Sequence, residues 1–296
     1  MKKPLFIILA VILTVALLFS GYQVWRYFAA EQETAEQFDG LTGQIEEPPS
    51  IPIPETPGEP PPTTPEWTVY DQYGVLFEQN PDMIGWIKID GTTIDYPVMQ
   101  TPDRPDFYLK RNFEKQYSDY GVPYAAEDCS IDPQSDNITI FSHHMQSGKM
   151  FGALESYKDE AFYREHPIIN FDTRAGSGTY EIIAVFKVSP ADFQYNEFIG
   201  AADEAAFDEY VRRCTALSFY DTGVTAVYGD KLISLSTCEY SRQDNRLVVV
   251  ARKVTGVPAR PVVWGKEEQR SERAFAHKGK TSDTQFVTTK GGAPDG

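Results

Sequence analysis

The stretch DKLISLSTCEYSRQDNRLVVVARK, residues 230–253, decides the fold, because it predicts two strands joined by a short polar loop. The first strand alternates with the period of two that is typical of β-structure. Its two faces carry Leu232, Ser234, Ser236 and Cys238 on one side and Ile233, Leu235 and Thr237 on the other. The second strand begins at Arg246 and is rich in β-branched residues. Pairing as a hairpin would set Cys238 across from Arg246, so that a thiol and a guanidinium meet at one rim of a sheet.

Working outward from this hairpin, the chain shows many short β-type segments and few helical ones. An Asp-Gly turn at residues 90–91 predicts a hairpin between strands at 84–89 and 92–98. Further strands are expected at 117–124, 137–142, 168–173 and 179–188. Helices are expected at 69–79, 149–157 and 201–216, the last with apolar residues at helical spacing. One longer helix among short strands favours a mostly β protein, an antiparallel barrel with an inserted helix.

The N-terminus predicts a membrane anchor over residues 1–30. Two lysines precede an uncharged run at residues 4–25, which as a helix would span about 33 Å. Lysines ahead of the run favour a cytoplasmic N-terminus, with the rest of the chain outside. The alternative is a cleaved signal peptide, but the apolar run is longer than a usual signal-peptide core.

Composition divides the remainder of the chain. Residues 31–66 contain nine acidic and no basic residues, with nine prolines between 48 and 65, which predicts an extended extracellular stalk. A polyproline ligand for a partner is the alternative for this segment. The globular domain is expected at 67–265, and a flexible polar tail at 266–296.

Charge and cysteine content limit the function classes. The formal net charge of −16 argues against a nucleic-acid partner, which selects for a basic surface. The three cysteines cannot all pair internally, although a Cys129–Cys214 disulfide is open. A metal at His143 and His144 is disfavoured, because neighbours on an extended chain point to opposite faces and no further ligand follows at metal spacing.

Three residues are candidates for chemistry. Cys238 could be a nucleophile or a small buried hydrophobe, and the residues alone do not decide between these. His143 closes a predicted strand and suits a general acid or base. Arg246 could stabilise an oxyanion, could pair with Asp244, or could be an ordinary surface cation, with Arg242 as the competing arginine.

Three separated motifs in order resemble the sortases, membrane-anchored cysteine transpeptidases, and specifically their class B. The segment SLSTC at 234–238 followed by RLVVV at 246–250 resembles the catalytic signature, and IFSHHM at 140–145 resembles the histidine segment. The segments NPD at 80–82, GWIKI at 85–89 and IDYPV at 94–98 resemble the start of a class B domain. Ser142 and Ser234 depart from the usual glycine and threonine, and His144 takes the place of the usual asparagine.

The resemblance implies a closed eight-stranded sortase-type β-barrel with an inserted helix near 201–216. It implies that Cys238 attacks a C-terminal sorting signal of a surface protein and forms a thioester, that His143 transfers protons, and that Arg246 with the backbone N–H of Glu239 holds the oxyanion. Ser236 and Thr237 would line the substrate, and no metal or organic cofactor would be required. An amine from a peptidoglycan precursor or a pilin lysine would resolve the thioester at the outer face of the cell membrane.

Two other functions remain open at this point. A papain-like cysteine hydrolase would release the peptide to water, and a catalytically inactive barrel would use its cleft for binding. The residues do not distinguish an Asn-Pro from a Leu-Pro sorting motif, nor pilus assembly from surface-protein anchoring or iron-uptake display.

Overall fold

A computed structural model describes residues 2–47, 67–239 and 245–255. Within these ranges the strands are β1 Met83–Lys88, β2 Asp95–Met99, β3 Tyr124–Ala125, β4 Asn137–Phe141, β5 Ile168–Thr173, β6 Thr179–Val188, β7 Leu232–Glu239 and β8 Asn245–Lys253. The α-helices are α1 Lys2–Thr42, α2 Val69–Gln79, α3 Glu160–Glu165 and α4 Glu204–Leu217. Short 3-10 helices occupy Phe107–Lys110, Phe151–Lys158 and Tyr195–Glu197.

The strands close into a barrel in the order β1-β2-β3-β4-β7-β8-β6-β5. This confirms the eight-stranded barrel, but the expectation of an antiparallel one was wrong. The pairs β2–β3 and β4–β7 are parallel, and the other pairs are antiparallel. Parallel neighbours require a long crossover, and the chain between β4 and β7 supplies one that contains β5, β6 and α4.

Most of the predicted elements are found. The helix at 69–79, the β1–β2 hairpin and the strands at 168–173 and 179–188 are confirmed, and α4 lies within one to three residues of its predicted bounds. The strand expected at 117–124 was wrong, since β3 begins only at Tyr124. Gly121 has a φ of +61°, which interrupts an extended strand, and a Cβ at this position would lie 2.6 Å from the carbonyl oxygens of Tyr108 and Leu109.

The two faces of β7 pack into two different cores. Ile233 and Leu235 point into the barrel, whereas Leu232 belongs to an outer cluster covered by α4. The buried face of α4 consists of Phe207, Tyr210, Val211 and Cys214. The inserted helix therefore packs on the outer face of the sheet, over residues of β6 and β8 and over Leu232 at the start of β7.

The first helix extends beyond the predicted anchor. By length and composition the stretch Phe6–Thr42 could cross a membrane. The expectation that the chain becomes extended after residue 30 was wrong as far as Thr42, because glutamate, glutamine and alanine favour helix there. Thr34, Phe38 and Leu41 follow one another at helical spacing and are buried against the domain. The proline-rich part at 48–66 and the predicted tail at 266–296 lie outside the described residues.

Candidate active site

The ends of three neighbouring strands bring the predicted catalytic positions together. The parallel β4–β7 ladder pairs Phe141 with Ser236, and the antiparallel β7–β8 ladder pairs Cys238 with Arg246. The β4–β7 ladder ends at this pair, and His143 and Cys238 each follow two residues later, so a continued parallel register would bring them level. The backbone register therefore sets Cys238 between His143 and Arg246 at one rim of the barrel, and the hairpin register predicted from the sequence is confirmed.

Two hydrogen bonds continue the β4–β7 contact towards this rim. The backbone N–H of Ser142 donates to the carbonyl oxygen of Ser236 at 3.2 Å. The Thr237 hydroxyl donates to the carbonyl oxygen of Ser142 at 2.8 Å. These bonds hold Ser142, the residue before His143, against Ser236 and Thr237, the two residues before Cys238. They therefore fix how far the end of β4 is shifted along the strand direction relative to the end of β7.

The ring of His143 is oriented by a backbone group. Its Nε2 lies 2.7 Å from the carbonyl oxygen of Leu109. A carbonyl oxygen only accepts, so Nε2 carries the proton, and Nδ1 is the basic nitrogen of the neutral ring. Burial lowers the pKa of His143, and the bond to Leu109 opposes this shift. Sequence reasoning missed Leu109, because a main-chain acceptor leaves no signal in residue type.

Arg246 stands at the start of β8 and is half-buried. Its Nη1 donates to the carbonyl oxygen of Asn245 at 3.2 Å, and Asn245 pairs with Glu239 across the hairpin. The guanidinium of Arg246 is thus held close to the end of the β7–β8 ladder. The competing residue Arg242 and the possible ion-pair partner Asp244 lie outside the described residues.

Ser236 and Thr237 are used inside the domain. They are 1% and 2% exposed. The Ser236 hydroxyl lies 2.7 Å from the Tyr195 hydroxyl, and that of Thr237 binds Ser142 as described above. Both hydroxyls are thus engaged within the domain, and the expectation that these two side chains line the substrate stays a prediction.

The two other cysteines are free and buried, so the possible Cys129–Cys214 disulfide is absent. Burial raises the pKa of the Cys129 thiol to about 11 and that of Cys214 to about 12. Both thiols are therefore protonated near neutral pH and unsuited to nucleophilic attack. Within the described ranges, no group of three or more His, Cys, Asp or Glu side chains is placed to hold a metal ion.

The other histidines have separate surroundings. His144 forms an isolated β-bridge with Met150. His166 ends α3 and packs against the ring of Phe162 at a centroid distance of 4.5 Å. His277 lies outside the described residues.

Comparisons with known proteins converge on one family. A family model described as a sortase domain matches residues 87–254. The sortase B of Staphylococcus aureus is 30% identical over 187 residues, which cover 62% of this chain and 75% of that protein.

Solved structures agree with this match. A Staphylococcus aureus sortase B–substrate complex superposes with a TM-score of 0.59 at 28% identity, over 64% of this chain and 87% of that one. A sortase B complexed with triglycine superposes with a TM-score of 0.60 at 27% identity, over 65% and 89% of the two chains. The matched region contains all of β2 to β8 and hence the rim described above.

Proposed function

This chain belongs to the sortase family and resembles class B, and we propose that it cleaves a C-terminal sorting signal through a cysteine thioester and transfers the acyl group to an amine. The observation that carries the proposal is the register of three adjacent strands. The β7–β8 ladder pairs Cys238 with Arg246, and the β4–β7 ladder ends at Phe141 and Ser236, each two residues before His143 and Cys238, which supports a shared site for the three residues.

In the first half-reaction the Cys238 thiolate attacks the carbonyl carbon of the threonine in the sorting signal. The new S–C bond creates a tetrahedral oxyanion, which Arg246 and the backbone N–H of Glu239 stabilise by donating hydrogen bonds. Protonated His143 then gives its proton to the departing amine as the C–N bond breaks. The product is a thioester on Cys238 and a released C-terminal peptide.

In the second half-reaction an amine replaces the leaving group. His143, now neutral, accepts a proton from the incoming amine as it attacks the thioester. Breakdown of the second tetrahedral intermediate forms a new amide bond and returns Cys238 to its thiolate. The complexes of sortases B with substrate and with triglycine support a peptide and an amine as the two partners. The acceptor proposed here is a peptidoglycan precursor or a pilin lysine.

The N-terminal helix supports localisation at the cell membrane. An apolar helix preceded by two lysines favours a cytoplasmic N-terminus and an extracellular catalytic domain. Such an anchor would hold the rim near a lipid-linked acceptor and near secreted proteins that are still in transit.

The test uses the full chain in detergent micelles with Asn-Pro and Leu-Pro sorting peptides, each with and without oligoglycine, a branched peptidoglycan-type peptide or a lysine peptide. Mass spectrometry should detect an acyl adduct on Cys238 and a new amide product in the presence of one amine. Cys238→Ala should give neither species, and Cys129→Ala should give both.

The product mixture distinguishes the remaining possibilities. Hydrolysed peptide at equal yield with every amine would indicate a cysteine hydrolase. A chain that binds peptides but never forms an adduct would indicate a binding barrel. Undiminished product formation by Cys238→Ala would overturn the proposed nucleophile.

A further inference from the structure

The outer part of α1 lies against the loop that follows the candidate histidine. We define the histidine loop as residues 143–151. The Lys149 Nζ lies 3.2 Å from the backbone oxygen of Glu31 and 3.8 Å from its Oε1. Phe38 of α1 packs edge-on to Tyr96 of β2, with ring centroids 4.9 Å apart. The helix that carries the membrane-spanning stretch therefore contacts both the histidine loop and a residue that supports it.

Consecutive residues of the histidine loop are held by groups outside it. The Thr93 hydroxyl donates to the carbonyl oxygen of Gly148 at 2.6 Å. The Met150 N–H donates to the Tyr96 hydroxyl at 3.1 Å. Of the three successive residues 148–150, the first is thus held from the β1–β2 turn, the second by α1 directly, and the third by a tyrosine on which α1 packs.

The last of these residues adopts an unfavourable backbone conformation. Met150 is fully buried and has a φ of +54° and a ψ of −132°, a backbone conformation that residues other than glycine rarely adopt. Such a conformation costs free energy and persists only where the surroundings impose it. The bond to Tyr96 is one of the contacts that impose it.

The loop returns directly to the candidate catalytic residue. The Phe151 N–H, next to Met150, donates to the carbonyl oxygen of His143 at 3.0 Å. A shift of Met150 would therefore move the backbone of His143. Its ring is held separately, by the bond of Nε2 to Leu109.

From these contacts we infer that the outer turns of α1 form a positioning element for catalysis, in which Phe38, through Tyr96, and Glu31, through Lys149, hold the histidine loop in its strained conformation. The catalytic consequence rests on the proposed function, whereas the effect on the loop does not. The anchor helix is in this view part of the catalytic apparatus as well as a tether.

Hydrogen–deuterium exchange on the full chain in detergent micelles tests the loop without reference to activity. Phe38→Ala, Tyr96→Phe and Glu31→Gln should each accelerate exchange of the Met150 and Phe151 amides, by about tenfold for the first two variants, and leave the β6 amides unchanged. Gln44→Ala removes a contact between the segment after α1 and Gln79 of α2, and Glu33→Gln neutralises an exposed carboxylate of α1. Both controls should leave the loop amides unchanged. Unaltered exchange in Phe38→Ala and Glu31→Gln would overturn the inference.

Transpeptidation by the same proteins then tests the catalytic consequence. Phe38→Ala and Tyr96→Phe should lower kcat roughly tenfold at an unchanged KM for the peptide, because the proton-transfer group and not the peptide site is displaced. Combining Glu31→Lys with Lys149→Glu should recover part of the kcat lost in either single variant, because it restores the pair of opposite charges but not the bond from Lys149 to the backbone oxygen of Glu31. Unchanged kcat in an active protein whose loop amides exchange faster would overturn the positioning role. If the unmodified chain never transfers an acyl group but the variants still show faster exchange, the proposed function is refuted and the inferred loop contacts are supported.

Discussion

The Nε2 atom of His143 donates to the carbonyl oxygen of Leu109 at 2.7 Å, and this bond determines which nitrogen of the neutral ring can accept a proton. The 3-10 helix Phe107–Lys110 that supplies the carbonyl is thus a structural partner of the candidate catalytic site. A proton can be taken up only at Nδ1 unless the bond breaks. The two sides of the imidazole are therefore inequivalent before any substrate binds.

The first prediction concerns the pH at which this ring titrates. Burial lowers the pKa of His143 below its ordinary value of 6.5, so in Cys238→Ala, which lacks a thiolate, an NMR titration should give a midpoint below 6.5. Because the folded state disfavours protonated His143, this residue contributes its full share of the unfolding free energy above pH 6.5. That contribution is lost as the pH falls through the lower pKa of the folded state. Urea unfolding at pH 7 and pH 5 should show a smaller loss of stability for His143→Gln than for the unmodified chain. A midpoint at or above 6.5 would contradict the role of burial.

The second prediction concerns thiol selectivity. The Cys129 and Cys214 thiols have pKa values raised to about 11 and about 12 by burial, so neither should react at neutral pH. Brief treatment of the folded chain with iodoacetamide should label one of its three cysteines, and Cys238→Ala should remove that label. In denaturant all three thiols of the unmodified chain should react. Labelling of Cys214 in the folded chain at a rate similar to Cys238 would exclude this account.

The sequence was sufficient to predict strand pairing where the two strands are joined by a short loop. Alternation along β7 and the spacing to Arg246 predicted the hairpin, and the observed pairing of Cys238 with Arg246 follows from them. The parallel β4–β7 pairing could not be predicted from local pattern, since it depends on a long crossover. The bond to Leu109 could not be predicted, because any residue type supplies a backbone carbonyl. The packing of α1 on the domain was not predicted either, because the acidic composition of residues 31–42 indicated an extended segment although Thr34, Phe38 and Leu41 have helical spacing.

The third prediction concerns the charge at the start of β8. If Arg246 stabilises an oxyanion through its planar guanidinium, Arg246→Lys should lower kcat at least about tenfold, because an ammonium group does not reproduce the donor geometry. Arg252→Lys is the matched control, since Arg252 lies on the same strand and pairs with Glu181 at 3.0 Å, far from the rim. Steady-state kinetics with a sorting peptide and an amine should show a lower kcat only for Arg246→Lys. Full activity in this variant would assign Arg246 a bystander role.

The fourth prediction concerns the bond that aligns the two strand ends. The Thr237 hydroxyl is buried and donates to the Ser142 carbonyl at 2.8 Å, so Thr237→Val removes a link between β7 and the segment that leads from β4 to His143 while nearly preserving shape. Leaving a buried carbonyl without its donor should cost about 1–2 kcal/mol of unfolding free energy, measured by urea denaturation. Displacement of His143 relative to Cys238 should also lower kcat about tenfold or more, since small errors in the distance between reacting groups are costly. Thr215→Val provides the control, because its hydroxyl donates within α4, to the carbonyl oxygens of Val211 and Arg212, and its loss should leave kcat unchanged. A Thr237→Val protein that loses stability but retains full kcat would show that the strand ends are aligned without this bond.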